Sequence, residues 1–597
     1  MRRAWILPLT LVMSCHNTPP HSWAISSSSG STDLDARHPL PAGGEYAPAN
    51  AHPTFPAGWY YPSGARAEFA AHAMIATEAP LATEAGLEVL RAGGNAVDAA
   101  VAVGFALSVV YPQAGNIGGG GYMVIHLADG RDATIDYREV APAAATRDMF
   151  LGPDGKLTND RLVGPRASGV PGAVAGLVAA QQKFGALKLA AVMAPAIRYA
   201  RDGITVDSDL ASSLASHREY LSQGLATRVF FRDGAPLVAG ATLKQEALAR
   251  TLTSIAQHGA DGFYRGEVAQ RIAGELHAAG GLITEQDLAA YKPIWREPLR
   301  NTFRGYRVIG MPPSSSGGIT VAETMNILAG YDSLPAWGTP EYTHLLSAAF
   351  QRAFIDRNSK LADPAFVPVP VDLLISREHA DRWRATIEPR RATPTPTLAG
   401  MLREGSETTH YSVVDAQGNG VATTTTLNEL YGSAVYLADA GFFLNDELDD
   451  FATAPGEANM FGLVQGEANA VAPGKRPLSA MSPTIVLDPE GNLFMVAGAR
   501  GGPRIITGTT QVLLNVLVHH MTLADAVSAP RIHHQALPDV MGFEQRGLDV
   551  PAIQALTSFG YTVKERTNVG VVESILRVRG GWQGVADPRA GGLAKGY

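Results

Sequence analysis

Few residues in this chain have the type and spacing to act on a substrate, and several common routes to catalysis are closed at once. The only cysteine is Cys15, near the N-terminus, so a thiol nucleophile, an internal disulfide and a CxxC metal or redox centre are excluded from the rest of the chain. No GxSxG elbow or HExxH helix is present. Gly115-Asn116-Ile117-Gly118-Gly119-Gly120-Gly121 is rich in glycine, but it lacks the Lys-Ser/Thr that completes a phosphate loop, and it reads as a crowded turn beside a core. His519-His520 and His533-His534 have no partners at ligand spacing and read as packing residues, so no metal is expected. What remains is Glu407-Thr408-Thr409-His410-Tyr411-Ser412-Val413-Val414-Asp415. A threonine hydroxyl is a weak nucleophile that needs an adjacent base. Taken alone, the two threonines are ordinary strand residues. Three other features are equally plain by themselves. Thr426 closes a threonine run, Gly501-Gly502 suits a tight strand-to-helix turn, and Asn445 to Phe451 reads as a solvated acidic turn.

The elements that must position these groups belong to a large folded body. Of 597 residues, 46% are hydrophobic and 17% charged, which supports a large core and excludes a disordered chain or a coiled coil. The net charge is −8 and no Lys/Arg-rich run occurs, so no nucleic-acid partner is expected. No apolar run reaches the ~18 residues of a membrane-spanning helix. Helical spacing from Ala82 stops at Gly93-Gly94, and Asn95 caps a second helix through Val110 that is apolar on nearly every side and therefore deeply buried. Tyr122–Leu127 and Ala133–Tyr137 form a hairpin around Asp129-Gly130. Residues 170–290 are mainly helical, 312–318 is a loop that starts rigid and ends flexible, and 389–403 is an exposed linker. Beyond it, strands are expected at 408–415, 421–427, 484–487, 494–497, 572–578 and 582–585, with an amphipathic helix over 504–520. This order of hairpins and helices predicts antiparallel sheets covered by helices.

The N-terminus carries an address. Met1-Arg2-Arg3 precedes a short apolar core, which reads as a signal peptide over residues 1–15. Val12-Met13-Ser14-Cys15 also matches a lipobox, with Met13 a poor fit at its position. A lipid anchor at Cys15 and a plain secretory signal stand as alternatives, and both imply export, with a periplasmic location. Residues 16–67, rich in serine and proline, read as a flexible linker.

From about residue 70 to Tyr597 the chain resembles the γ-glutamyltransferases (γ-glutamyltranspeptidases), members of the N-terminal-nucleophile hydrolase superfamily. The motifs that carry the resemblance are Pro112-Gln113-Ala114-Gly115-Asn116, Asp136-Tyr137-Arg138-Glu139, Thr408-Thr409-His410-Tyr411-Ser412, Lys475-Arg476-Pro477-Leu478-Ser479 and Gly501-Gly502-Pro503-Arg504-Ile505-Ile506-Thr507. The resemblance implies an αββα sandwich and a precursor that cuts its own Glu407–Thr408 bond. Residues 68–407 and 408–597 would then remain together as large and small subunits, with no cofactor. The cut would leave a free α-amine on Thr408, with a pKa near 7.7–8.0 in model peptides, able to relay the hydroxyl proton.

By the same resemblance, Thr426 hydrogen-bonds the nucleophile and Gly501-Gly502 form an oxyanion hole. Arg138 and Ser479 read a substrate α-carboxylate, while Asp450, Glu447 and Asn428 read its α-ammonium. Ala480 stands where the family usually has a second serine. Residues 452–472 match a lid present in some members, with Phe461 at its tip where tyrosine is frequent. The implied reaction is cleavage of a γ-glutamyl amide such as glutathione, with transfer to water or to an amino acid or peptide amine. The alternatives are a cephalosporin or glutaryl acylase of the same fold, against which Asp450 and Glu447 argue, and an unprocessed, non-catalytic surface protein.

Overall fold

Strand-forming runs on both sides of residue 408 pair with one another, and this intermixing builds the molecule. The computed structural model describes residues 52–395, 408–454 and 465–597. The signal segment with Cys15, the linker up to residue 51, Glu407 and Phe461 lie outside the described residues. One seven-stranded sheet runs Leu593–Gly596, Met74–Thr77, Thr409–Val414, Gly420–Thr426, Gly120–His126, Asp132–Asp136, Ile294–Arg296. A second runs Glu68–Ala70, Gly581–Val585, Val571–Val578, Leu493–Arg500, Thr484–Leu487, Tyr306–Gly310, Leu299–Phe303. Neighbouring strands within both sheets are antiparallel. The sheets pack face to face through Thr409–Val414 and Gly420–Thr426 on one side and Leu493–Arg500 on the other. Helices cover the outer faces, giving the expected αββα sandwich.

The helix Ala96–Val110 is buried along its whole length and packs beneath Thr409–Val414. Its start is specified by local chemistry. Asn95 Oδ1 accepts from the N–H groups of Val97 and Asp98 (3.0 Å each), and Asp98 Oδ2 accepts from the Asn95 N–H at 3.1 Å. Asp415, at the end of the next strand over, adds a carboxylate that accepts from the Ala96 N–H at 2.8 Å, where the helix dipole favours negative charge. On the opposite face of the sandwich, Arg504–Leu517 packs on Leu493–Arg500.

The structure differs from the sequence expectation in three places. The linker expected to reach residue 67 is docked over 52–67: the Trp59 indole N–H donates to the Ser528 carbonyl at 2.9 Å, and Phe55 sits edge-on to Trp337. Aromatic residues in an otherwise polar stretch give it enough apolar surface to dock. Residues 312–318 are anchored rather than flexible, because Ser314, Ser315 and Ser316 are fully buried and Ser316 Oγ donates to the Ser479 carbonyl at 2.6 Å. The described start of the 389–403 stretch is likewise held, with the Thr395 N–H donating to Asp539 at 2.7 Å. The serine hydroxyls, and the Thr395 hydroxyl, which donates to the Ala536 carbonyl at 2.9 Å, supply anchors that apolar patterning cannot reveal.

Candidate functional site

Strand register sets the centre of the site. Thr409 pairs with Thr425 and His410 with Thr424, so Thr408 falls opposite Thr426. Alternation along the strand turns Thr408, His410 and Ser412 toward the second sheet and Tyr411 and Val413 toward the helices. The Oγ1 atoms of Thr408 and Thr426 lie 3.5 Å apart. The Asn428 N–H donates to Thr426 Oγ1 at 2.8 Å, fixing the direction of that hydroxyl's lone pairs. Asn428 itself adopts a positive φ of 81°, a left-handed conformation that asparagine tolerates better than most residues. Below Thr408, His410 Nδ1 meets Thr424 Oγ1 at 2.8 Å and burial pushes its pKa down to about 3, so the ring is neutral and acts as packing.

The glycine run expected as a crowded turn is one. A Cβ on Gly119 would collide with the Thr426 carbonyl oxygen, so the backbone of 118–121 can pass directly against the strand that carries Thr426.

A small cavity of about 20 Å³ opens beside Thr408 and Thr426. Arg138, Asn428, Glu447, Asp450, Ser479, Ala480 and Gly502 all line it. Gly501 precedes Gly502 in the turn and is not itself part of the lining. The two glycines take φ values of 128° and 56°, and the turn leads straight into the helix Arg504–Leu517. Glycine is required at Gly501, whose φ lies outside the region that L side chains adopt.

The charged groups are buried and paired. Arg138 Nη2 donates to Asp450 Oδ2 at 2.5 Å, Nη1 donates to Glu447, and Nε donates to the Pro477 carbonyl at 3.3 Å. Burial opposes the charge on Arg138, but Glu447, Asp450 and Glu139 together raise its pKa above the ordinary arginine value. Burial also pushes Glu447 well above the usual carboxylate range and Glu139 up to about 7, with Arg138 opposing both. The acidic run 445–450 is thus no solvated turn. Asn445 Nδ2 donates to the carbonyls of Gly118 and Gly169 (2.8 and 2.9 Å), which pulls the run into the core. The base of the 452–472 segment is tied to the same place, since Gln465 Nε2 and Asn469 Nδ2 both donate to the Asp450 carbonyl (2.9 and 2.7 Å).

The lining includes a residue absent from the sequence reading, Arg357, on the helix Pro340–Lys360. Nothing in its spacing along the sequence points to the site. Of the histidines, His533 bonds Thr507 Oγ1 at 2.9 Å and His519 stacks edge-on against Tyr342, so both serve as packing. Among the described residues, Glu323, Asp356 and His379 form the buried group whose ligand atoms lie close enough to hold a cation. Asp356 is already engaged by Lys360, His379 and the Trp383 indole N–H (2.7 Å from the last), which makes the group an internal ion network.

The family model for gamma-glutamyltranspeptidase matches residues 82–597. The chain is 42% identical to the glutathione hydrolase proenzyme of Escherichia coli (strain K12), over 88% of this chain and 92% of that protein. Its fold superposes on a cephalosporin acylase from Bacillus halodurans with a TM-score of 0.80 at 28% identity, covering 91% of this chain and 99% of that one. The Helicobacter pylori gamma-glutamyltranspeptidase matches at 42% identity and a TM-score of 0.52, over 55% of this chain and 96% of that one.

Proposed function

The chain belongs to the γ-glutamyltranspeptidase family, and from that premise we propose that it cleaves γ-glutamyl amides of the glutathione type through an ester on Thr408. The observation that carries this reading is the meeting of Thr408 and Thr426 with the Arg138–Glu447–Asp450 cluster across one cavity. Hydrolysis of the Glu407–Thr408 peptide bond frees the Thr408 α-amine and yields two chains that remain associated. That amine takes the Oγ1 proton as the oxygen attacks the γ-carbonyl carbon, and backbone N–H groups at Gly501-Gly502 receive the developing oxyanion. The proton then passes to the leaving amine as the amide bond breaks. Water or an acceptor amine attacks the ester, gives up a proton and restores the threonine.

A γ-glutamyl donor is a zwitterion at its α-carbon, and the pocket carries matching charges already satisfied by each other. On binding, the α-carboxylate takes the place of an acidic partner at Arg138, aided by Ser479. The α-ammonium takes the place of Arg138 at Asp450 and Glu447, aided by Asn428. Exchange of the ion pairs within the pocket for ion pairs to the ligand avoids leaving any buried charge unpaired, which would cost a few kcal/mol. Ala480 offers no hydroxyl beside Ser479, so carboxylate recognition leans more heavily on Arg138.

The test is a denaturing gel with N-terminal sequencing, followed by assay of a γ-glutamyl anilide against the matching glutaryl anilide. Wild-type protein is expected as two chains, the smaller beginning Thr408-Thr409-His410, with Thr408→Ala remaining a single inactive chain. A fully active, intact wild type would sink the mechanism. Preference for the glutaryl anilide would instead favour the acylase reading, which the likeness to the cephalosporin acylase keeps in view.

A further inference from the structure

A second buried guanidinium faces the nucleophile and has no part in the roles above. Arg357 lines the cavity with Thr408 and Asp450 and is only 1% exposed. Its Nε donates to Ser316 Oγ at 3.0 Å and its Nη1 to Asn358 Oδ1 at 3.0 Å. Nη2 is buried and makes no hydrogen bond among the described residues. Arg138 is in the opposite condition, since Nε, Nη1 and Nη2 all donate to protein oxygens. A buried donor without an acceptor is costly and is rarely kept where nothing fills it.

The surroundings of Arg357 hold its fork in place. Ser316 Oγ also donates to the carbonyl of Ser479, so one hydroxyl links the arginine to the loop that carries the pocket serine. Burial lowers the pKa of Arg357 to about 10, opposed by Asp450, and the side chain remains a cation at neutral pH. With Arg357 included, two guanidinium and two acidic side chains line the cavity: Arg138, Arg357, Glu447 and Asp450. This balance suits a ligand that brings one charge of each sign.

We propose that Arg357 is a specificity-determining residue whose Nη2 binds the α-carboxylate of the γ-glutamyl group, making a two-arginine clamp with Arg138. The inference rests on the γ-glutamyl reading of the pocket. It follows that an incoming carboxylate can be captured by Arg357 before any ion pair of Arg138 is broken. Without Arg357, the carboxylate would have to displace Glu447 or Asp450 in its first step.

The experiment compares three anilides: γ-glutamyl, with carboxylate and ammonium; glutaryl, with the carboxylate only; and 4-aminobutanoyl, with the ammonium only. Each is read as a substrate or, where turnover is slow, as a competitive inhibitor of γ-glutamyl anilide cleavage. Arg357→Gln, confirmed as two chains on a denaturing gel, should weaken the two carboxylate-bearing compounds by roughly 10- to 100-fold, mainly in KM or Ki, and leave the 4-aminobutanoyl compound within about twofold. Arg357→Lys keeps the charge without the fork, and should show a smaller loss of the same pattern. If Arg357 only props Asp450, the loss will instead fall on the two ammonium-bearing compounds and spare glutaryl, and the proposal is overturned. Failure of both variants to mature also overturns it, since the residue is then needed for folding. Absence of γ-glutamyl cleavage by the wild type would strike the functional reading itself, an outcome separate from these.

Discussion

At the scale of single residues, the site depends on charge partners held out of water. Asp450 is bonded to Arg138 and lines the same cavity as Thr408. Replacing it by asparagine keeps the shape and removes the charge that would hold an ammonium. Asp450→Asn should therefore lower kcat/KM for a γ-glutamyl anilide by about 10²-fold, and affect a glutaryl anilide far less. Equal losses on both anilides would show that Asp450 works only by holding Arg138. Most of this site was legible in the sequence, but only because separated motifs matched a family together. Thr408, Thr426 and the 445–450 run look ordinary one at a time, since their meaning depends on register and burial. Arg357 was illegible for the same reason: its helix is buried on nearly all sides, and the pocket it faces is completed by residues almost a hundred positions later.

Among elements, the turn Gly501-Gly502 has the narrowest tolerance. A side chain at Gly501 forces a backbone conformation with φ near 128° that L residues avoid, at roughly 1–3 kcal/mol. The turn would relax by rotating its peptide groups away from the threonine. Gly501→Ala is expected to mature poorly, and any matured fraction should lose about 10²-fold or more in kcat with little change in KM. Unchanged kcat in the matured enzyme would remove this turn from the chemistry. A different sensitivity follows from the buried histidines. Burial holds His410 and His533 at about 3 and His519 at about 4, so all three stay neutral when folded, while the unfolded chain takes up protons near 6.5. The unfolded state then binds more protons, and stability falls as pH drops from about 6.5 toward 4, by up to about 1.4 kcal/mol per pH unit for each histidine. Thermal unfolding at pH 7 and pH 5 should show this drop, and His519→Gln should lessen it by about a third. The elements themselves were easiest to read where caps and periodicity coincide, as at Asn95 and the helix Ala96–Val110. The helices Gly317–Ala329 and Pro340–Lys360 and the hairpin of Leu299–Phe303 with Tyr306–Gly310 were not assigned, because burial on several sides blurs the helical period and strands of five residues give little alternation.

For the whole molecule, the strand order is decisive. Thr409–Val414 lies between Met74–Thr77 and Gly420–Thr426, and strands from before and after residue 408 contribute to both sheets. Cutting at Thr408 severs one covalent bond but no ladder, so the two pieces should elute as a single species in native chromatography and part only in denaturant. Separation under native conditions would contradict the arrangement. The αββα class was foreseeable from the hairpin-and-helix order together with the family resemblance. The intermixing of the two halves was not, because pairing between distant strands leaves no local mark in sequence.

That intermixing makes the history of the molecule matter. The intact chain reaches its native form by a first-order search, since every strand is tethered to its neighbours and closing even a long loop costs only modest entropy. After the cut, the same sheets can be rebuilt only when two separate chains collide, and recovery becomes dependent on protein concentration. Thr408→Ala precursor diluted from denaturant should regain its fold at a rate independent of concentration. Mature enzyme treated alike should recover more slowly as it is diluted, and at low concentration not at all. In the proposed mechanism, the peptide bond whose loss frees Thr408 is thus also the one that lets the molecule assemble, and it can be given up only once.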